Sequence, residues 1–259
     1  MQILVLTIFP EMFEGLWSHG MVRRAIEQRA ISAAAVNIRD FTTDRHQATD
    51  DRPYGGGSGM VMKPEPLAAA IRHARRKAPD ARVILMSPQG RVFNQAAARE
   101  FAGGEGLILI CGRYEGVDDR LCHELIADEI SIGDYVLTGG EIAAMAVIDA
   151  VVRLVPGVLG GEDSAERDSF SDGLIEHPHF TRPPVFEGAP VPEVLLSGHH
   201  GNIERWRLEA ALLRTLVNRP DLMQERAFSA EETEILRIWH DRLGELLTGP
   251  ADAPGRTRR

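Results

Sequence analysis

Up to about residue 160, short apolar runs alternate with stretches of helical period, and this alternation constrains the fold more than any other feature of the chain. Ile3 to Ile8, Ala35 to Ile38, Val83 to Met86 and Leu107 to Cys111 read as buried strands. Between them, Met21 to Arg29, Pro64 to Lys77, Gln95 to Ala102 and Asp118 to Ile126 carry helix-like spacing. In Pro64 to Lys77, Leu67, Ile71 and Ala74 fall on one face. Strands alternating with helices predict an α/β domain with a largely parallel sheet. Glu141 to Val155 is apolar nearly all round, which predicts a helix buried inside the domain or against a partner subunit.

The second part of the chain reads differently. Gly160 to Gly173 has no periodicity and is rich in Gly, Ser and Asp, the composition of a loop or linker. A Pro-rich stretch follows, then two helical patterns. The first, Ile203 to Val217, places Ile203, Trp206, Ala210, Leu213 and Val217 on one stripe. The second starts at Ser229, where Ser229 and Glu232 form a capping box, and its stripe includes Ile235, Trp239 and Leu246. The expected division is an α/β domain over 1–160, a linker over 161–173, a helical domain over 174–247 and a disordered tail over 248–259.

Composition excludes several classes. The two cysteines, Cys111 and Cys122, make no disulfide framework and no CxxC pair, so a reducing cytoplasm is expected. No apolar run approaches the roughly 20 residues that cross a bilayer, and the N-terminus lacks the basic region of a signal peptide. A net charge of −9 opposes general affinity for phosphate, so any RNA-binding reading must rest on specific sites.

Chemistry concentrates in loops. Asp50 to Met60 holds Gly55, Gly56, Gly57 and Gly59 beside Arg52, so backbone can approach a ligand closely and a guanidinium can hold a phosphate. No GK[ST] follows, and the composition equally suits a flexible surface loop. Ser87-Pro88-Gln89-Gly90 and Cys111-Gly112-Arg113-Tyr114-Glu115-Gly116 each follow an apolar strand. Ile132 to Glu141 leads into a helix. Three such loops at one sheet edge suit a small-molecule site, although Gly and Pro punctuate any α/β fold. His177, His179, His199 and His200 lack the spacing of a metal helix, and no metal site is expected from them. Arg72, Arg75, Arg76 and Lys77, like Arg205, Arg207 and Arg214, read first as solvated faces.

Taken in order, Asp-Asp-Arg-Pro-Tyr-Gly-Gly-Gly, Ser-Pro-Gln-Gly, Cys-Gly-Arg-Tyr-Glu-Gly, Ser-Ile-Gly-Asp-Tyr-Val-Leu and Arg-Leu-Val-Pro-Gly-Val-Leu-Gly form a specific series. Asp-Ser-Phe, His-Pro-His-Phe-Thr-Arg-Pro and Ser-Gly-His-His complete it. Over about residues 1 to 247 this series resembles the bacterial tRNA (guanine-N1)-methyltransferases. The resemblance implies a SPOUT-type parallel sheet with a trefoil knot, a small C-terminal helical domain and a homodimer. It also implies S-adenosyl-L-methionine as methyl donor, a magnesium requirement, and as substrate the tRNA guanosine 3′ of the anticodon, position 37. Neither DNA nor a membrane is an implied partner. By resemblance the donor lies among Ser87, Pro88, Gly112, Tyr114, Glu115, Ile132, Gly133, Asp134, Tyr135, Val136, Leu137, Gly139 and Gly140. Asp168 matches the general base and Arg153 the cation that stabilises charge on O6. Asp50, Arg52, Gly55, Gly57, Gly59, Ser197 and His199 match the segments that hold the target base and tRNA. Ribose 2′-O methylation, a non-catalytic RNA- or nucleotide-binding module, and a metal hydrolase using the histidines remain alternatives.

Overall fold

The computed structural model describes residues 1–159, 168–224 and 226–248. Much of the expected linker, and the expected tail from 249 on, lie outside the described residues. The chain divides into two units, Met1–Ala165 and Glu166–Arg259.

The first unit runs β1 (Gln2–Thr7), α1 (Glu14–Ser18), α2 (Gly20–Glu27), β2 (Ser32–Asn37), β3 (Asp50–Asp51), β4 (Val61–Met62), α3 (Pro64–Lys77), β5 (Arg82–Val92), α4 (Gln95–Ala102), β6 (Gly106–Cys111), α5 (Arg120–Glu124), β7 (Asp128–Ser131) and α6 (Glu141–Val152). Five strands form one parallel sheet in the order β2-β1-β6-β5-β7. Strands β3 and β4 pair separately and antiparallel. Alternation of side chains along each strand splits the apolar runs between two cores. Ile3 and Val5 of β1 pack with Phe13 and with Val147 and Val151 of α6. Leu4 and Leu6 pack on the other face with Leu67, Ile71 and Ala74 of α3. Leu107 and Leu109 of β6 join the first core, Ile108 and Ile110 the second. A strand covered on both faces has no polar alternation, which is why these runs are continuously apolar.

The edge of the sheet departs from expectation. Strand β7 was not foreseen, because it is short and opens with Asp128 and Glu129. Strand β5 runs on past Met86 to Val92 rather than ending there. Met86 and Arg91 both register with Ile130, so Ser87 to Gly90 bulge out of the ladder. Gly90 permits this: a Cβ there would collide with the backbone of Glu129 and Ile130. Arg82 and Arg91, on either side of the bulge, pair with Asp128 at 3.1 and 2.9 Å, and both also pair with Glu100. Helix α6 ends sooner than the apolar pattern, at Val152, and its outward side carries Ile142, 54 % exposed.

The second unit contains β8 (Val185–Phe186), β9 (Ala189–Pro190), α7 (Glu193–Leu196), α8 (His200–Asn218), α9 (Pro220–Gln224) and α10 (Ala230–Thr248). The capping box forms as expected: Glu232 N–H donates to Ser229 Oγ at 3.2 Å, and Ser229 N–H donates to Glu232 Oε2 at 2.7 Å. The stripe expected on α8 is corrected. Ala211, Leu212 and Thr215 are buried, whereas Leu213 is 52 % and Val217 70 % exposed. Thr215 explains the rotation. Its hydroxyl donates to Ala211 O at 2.8 Å and accepts Ile175 N–H at 2.8 Å, so a polar side chain occupies the core face. A reading that follows apolar residues alone passes over it. On α10, Ile235 and Trp239 meet this core, but Leu246 is 79 % exposed. No helix among the described residues is long and apolar enough to cross a membrane.

Candidate active site

Strands β6, β5 and β7 are neighbours and parallel, so their C-terminal ends share one edge. The bulge of β5 and the segments leaving β6 and β7 enclose a cavity of about 330 Å³, within the roughly 300–1,000 Å³ of small-molecule sites. Every residue expected around the donor lines this cavity except Asp134, which is exposed. Sequence reasoning missed Gln89, Arg113, Asp119 and Glu129 as further lining residues. Gln89 and Arg113 stood inside the quoted motifs, whereas Glu129 was lost with β7.

Backbone contacts tie the walls together. Gly140 N–H donates to Gly112 O at 2.9 Å, and a Cβ on Gly140 would stand 2.8 Å from Cys111 Cα. The segment after β7 therefore needs glycine where it crosses the end of β6. Ser131 Oγ holds both Gly133 O, at 3.1 Å, and Gly133 N, at 3.2 Å. Tyr114 adopts φ +61°, a left-handed conformation that is costly for a tyrosine and that clusters at functional sites. The glycine loop is fastened to this segment. Glu115 N–H donates to Met60 O at 3.0 Å and Met62 N–H to Gly116 O at 2.9 Å, while Gly59 leaves room for Glu115 where a Cβ would collide.

Behind the wall, the Glu141 carboxylate is fully buried. It accepts Thr7 Oγ1–H at 2.8 Å and Arg113 Nε–H at 3.0 Å. Arg113 also donates to Thr138 O at 3.3 Å and lies 4.6 Å over the Phe9 ring. Burial, aided by the Glu141 charge, pushes the Cys111 thiol well up, so Cys111 packs as an inert apolar group. Burial likewise pushes the Cys122 thiol up to about 11.

The remaining site candidates fall into two sets. In the first unit, Asp50 pairs with Met62 in the β3–β4 ladder, and Arg52 N–H donates to the Asp51 carboxylate at 2.8 Å. Gly55, Gly57 and Gly59 all have positive φ, and Tyr54 beside them is fully exposed. Arg153 is the C-cap of α6 and partly buried.

In the second unit, Asp168 is partly buried, and its carbonyl accepts Ser171 N–H at 3.0 Å. Ser197 Oγ accepts His199 N–H at 3.2 Å, and His199 stands at the N-cap position of α8 without a side-chain capping bond. His177, Phe180, Arg182, Trp206 and Arg207 line a cavity of about 870 Å³. Glu176, His177 and His179 bring one ligand atom each within 4.8 Å of one another. Arg205 and Arg207 pair with Glu209 and Glu204 on the surface of α8, and Arg214 reaches Glu176 O at 3.2 Å.

A parallel sheet with a half-apolar cavity between the β5 bulge and the ends of β6 and β7 defines the α/β class in which small molecules bind at the C-terminal sheet edge. Comparison with known proteins narrows the class. The family model described as tRNA (Guanine-1)-methyltransferase TrmD matches residues 1–225. The chain is similar to the tRNA (guanine-N(1)-)-methyltransferase of Desulfatibacillum aliphaticivorans, 57% identical over 263 residues and covering 100% of both chains. It is also similar to the enzymes of that name from Geotalea uraniireducens, 56% identical, and Dehalococcoides mccartyi, 55% identical; each match covers 91% of this chain and 96% of the relative. The chain belongs to the tRNA (guanine-1)-methyltransferase family.

Proposed function

We propose that this chain, a tRNA guanine-N1 methyltransferase by family, methylates the guanosine at position 37 and binds S-adenosylmethionine in the cavity between the β5 bulge and the ends of β6 and β7. The convergence of those three segments on one cavity is the observation that carries the reading. The lining suits the ligand: glycine backbone for close approach, apolar Leu137 and Ile132 for an adenine face, and Glu115, Asp119 and Glu129 toward a cation. Bound there, the donor supplies a methyl group already activated on sulfonium.

The chain's own residues must then manage one proton and one developing charge. Guanine N1 is protonated at neutral pH and a poor nucleophile. Asp168 removes that proton as general base, and Arg153 stabilises the negative charge that moves toward O6. The glycine loop, with Asp50 and Arg52, holds the target base beside the donor. Its hydrogen bonds to the Glu115–Gly116 segment support this role. Ser197 and His199 contact tRNA. The aromatic and cationic lining of the second unit's cavity supports an RNA-facing surface, since unstacked bases bind on aromatic rings and guanidinium planes. This local chemistry supports RNA binding despite the net charge of −9.

The same reading takes 1–160 as the donor-binding domain, 161–173 as the linker that carries the base, 174–247 as the tRNA-binding domain and 248–259 as a tail. It includes a trefoil knot, a homodimer and a cytoplasmic site of action. Magnesium demands octahedral oxygen ligands, and the Glu176–His177–His179 group among the described residues does not fit it.

The test uses methyl-labelled donor and an unmodified tRNA transcript with guanosines at positions 36 and 37. Wild type should place the label on guanine N1, and Asp168→Ala should bind donor yet transfer nothing. Label on a ribose would point to 2′-O chemistry. Donor binding without transfer by wild type would point to a non-catalytic module.

A further inference from the structure

Among the described residues, the charged residues lining the cavity are three acids, Glu115, Asp119 and Glu129, and one base, Arg113. That single cation sits on the wall of a pocket read as binding a cation. S-adenosylmethionine carries a positive sulfonium, whereas its product is a neutral thioether that differs at the same atom. An uncompensated guanidinium nearby would disfavour donor relative to product, which opposes turnover.

Arg113 is compensated from behind. Glu141 does not line the cavity and is fully buried, yet its Oε2 takes Arg113 Nε–H at 3.0 Å. Its other oxygen takes the Thr7 hydroxyl at 2.8 Å, which fixes the carboxylate to the end of β1. Gly139 lies so close to this pair that a Cβ would collide with Arg113. A buried carboxylate is costly and persists only where a cation and further donors satisfy it.

We propose that Glu141 sets the preference for the sulfonium donor over the net-neutral thioether product, as a positioning residue that acts by neutralising Arg113. This inference rests on the reading of the cavity as the donor site.

The experiment is calorimetric titration of S-adenosylmethionine and S-adenosylhomocysteine into wild type, Glu141→Gln, Arg113→Gln and the double variant, with thermal unfolding as the folding control. Glutamine keeps the shape of Glu141 but leaves Arg113 uncompensated. The ratio of donor to product affinity should fall about tenfold in Glu141→Gln and rise in Arg113→Gln, where the carboxylate is left. In the double variant the ratio should return to within about twofold of wild type. Equal losses for both ligands would overturn the proposal, because a mere fastener of the loop weakens them alike. An unchanged ratio would also overturn it. If Glu141→Gln does not fold, Arg113→Gln decides alone: a ratio that stays or falls contradicts the proposal. Wild type that binds neither ligand would instead sink the donor-site reading, and with it this inference.

Discussion

Glu141 and Arg113 meet at 3.0 Å at the point where the first turn of α6 backs onto the wall of the cavity, with Glu141 shut off from water. Breaking a buried pair strands a charge. Glu141→Ala should therefore destabilise the protein by about 3–5 kcal/mol, measured by denaturant unfolding. Thr7→Val removes one donor to the same carboxylate and the acceptor of Phe9 N–H, a bond of 3.0 Å, and should cost about 1–3 kcal/mol. A loss under about 0.5 kcal/mol for Glu141→Ala would mean the pair is no anchor.

Gly90 tests the bulge that presents Ser87, Pro88 and Gln89 to the cavity. A Cβ there meets the backbone of Glu129 and Ile130, which cannot step aside like a flexible side chain. Gly90→Ala should displace β7 and weaken donor binding at least about tenfold, a change of roughly 1.4 kcal/mol. Gly57→Ala is the control. Gly57 has φ +124° but nothing within 4 Å, so donor affinity should hold while backbone strain costs about 1–2 kcal/mol of stability. Equal donor binding by wild type and Gly90→Ala in calorimetry would contradict the role given to the bulge.

The rotated face of α8 predicts two opposite outcomes one residue apart. Leu212 is fully buried and Leu213 is 52 % exposed. Leu212→Ala should cost about 2–5 kcal/mol, whereas Leu213→Lys should stay within about 0.5 kcal/mol of wild type. Thermal unfolding of both variants decides between this face and the one apolar periodicity suggests.

The start of α10 should be acid-sensitive. Burial pushes the Glu232 carboxyl up, but bonds from Ser229 and the Arg226 side chain outweigh it and hold the group below the ordinary 4.5. A depressed folded-state value means that the stabilisation is present above the unfolded value and is lost as pH falls through the folded one. Protection of α10 amides against hydrogen exchange should therefore weaken as pH drops below about 4.5, and Glu232→Gln should flatten that dependence. An identical acid response in both proteins would remove Glu232 from the account.

What the sequence discloses here follows from what each residue faces. Ile3 to Ile8 and Leu107 to Cys111 are legible because both faces of β1 and β6 are covered, which leaves unbroken apolar runs. Strand β7 is not legible, since Asp128 and Glu129 at its start are ion-paired or turned to the cavity, and a four-residue strand is too short to show a period. The three loops were legible as glycine-rich punctuation, although Ser87 to Gly90 is a bulge inside β5 rather than a loop after it, and their convergence depends on strand order, which places β5 between β6 and β7. Glu141 was visible as an acid opening an apolar helix. Its partner on β1 is 134 positions away in sequence, and no local pattern announces Thr7.

The most direct measurement is hydrogen exchange of the whole chain with and without S-adenosylmethionine. The donor should slow exchange in the backbone over 86–89, 111–117 and 131–140, the three segments that enclose the cavity of the first unit. Protection confined to 177–207, around the cavity of the second unit, would contradict the placement of the donor and with it the mechanism built on that placement.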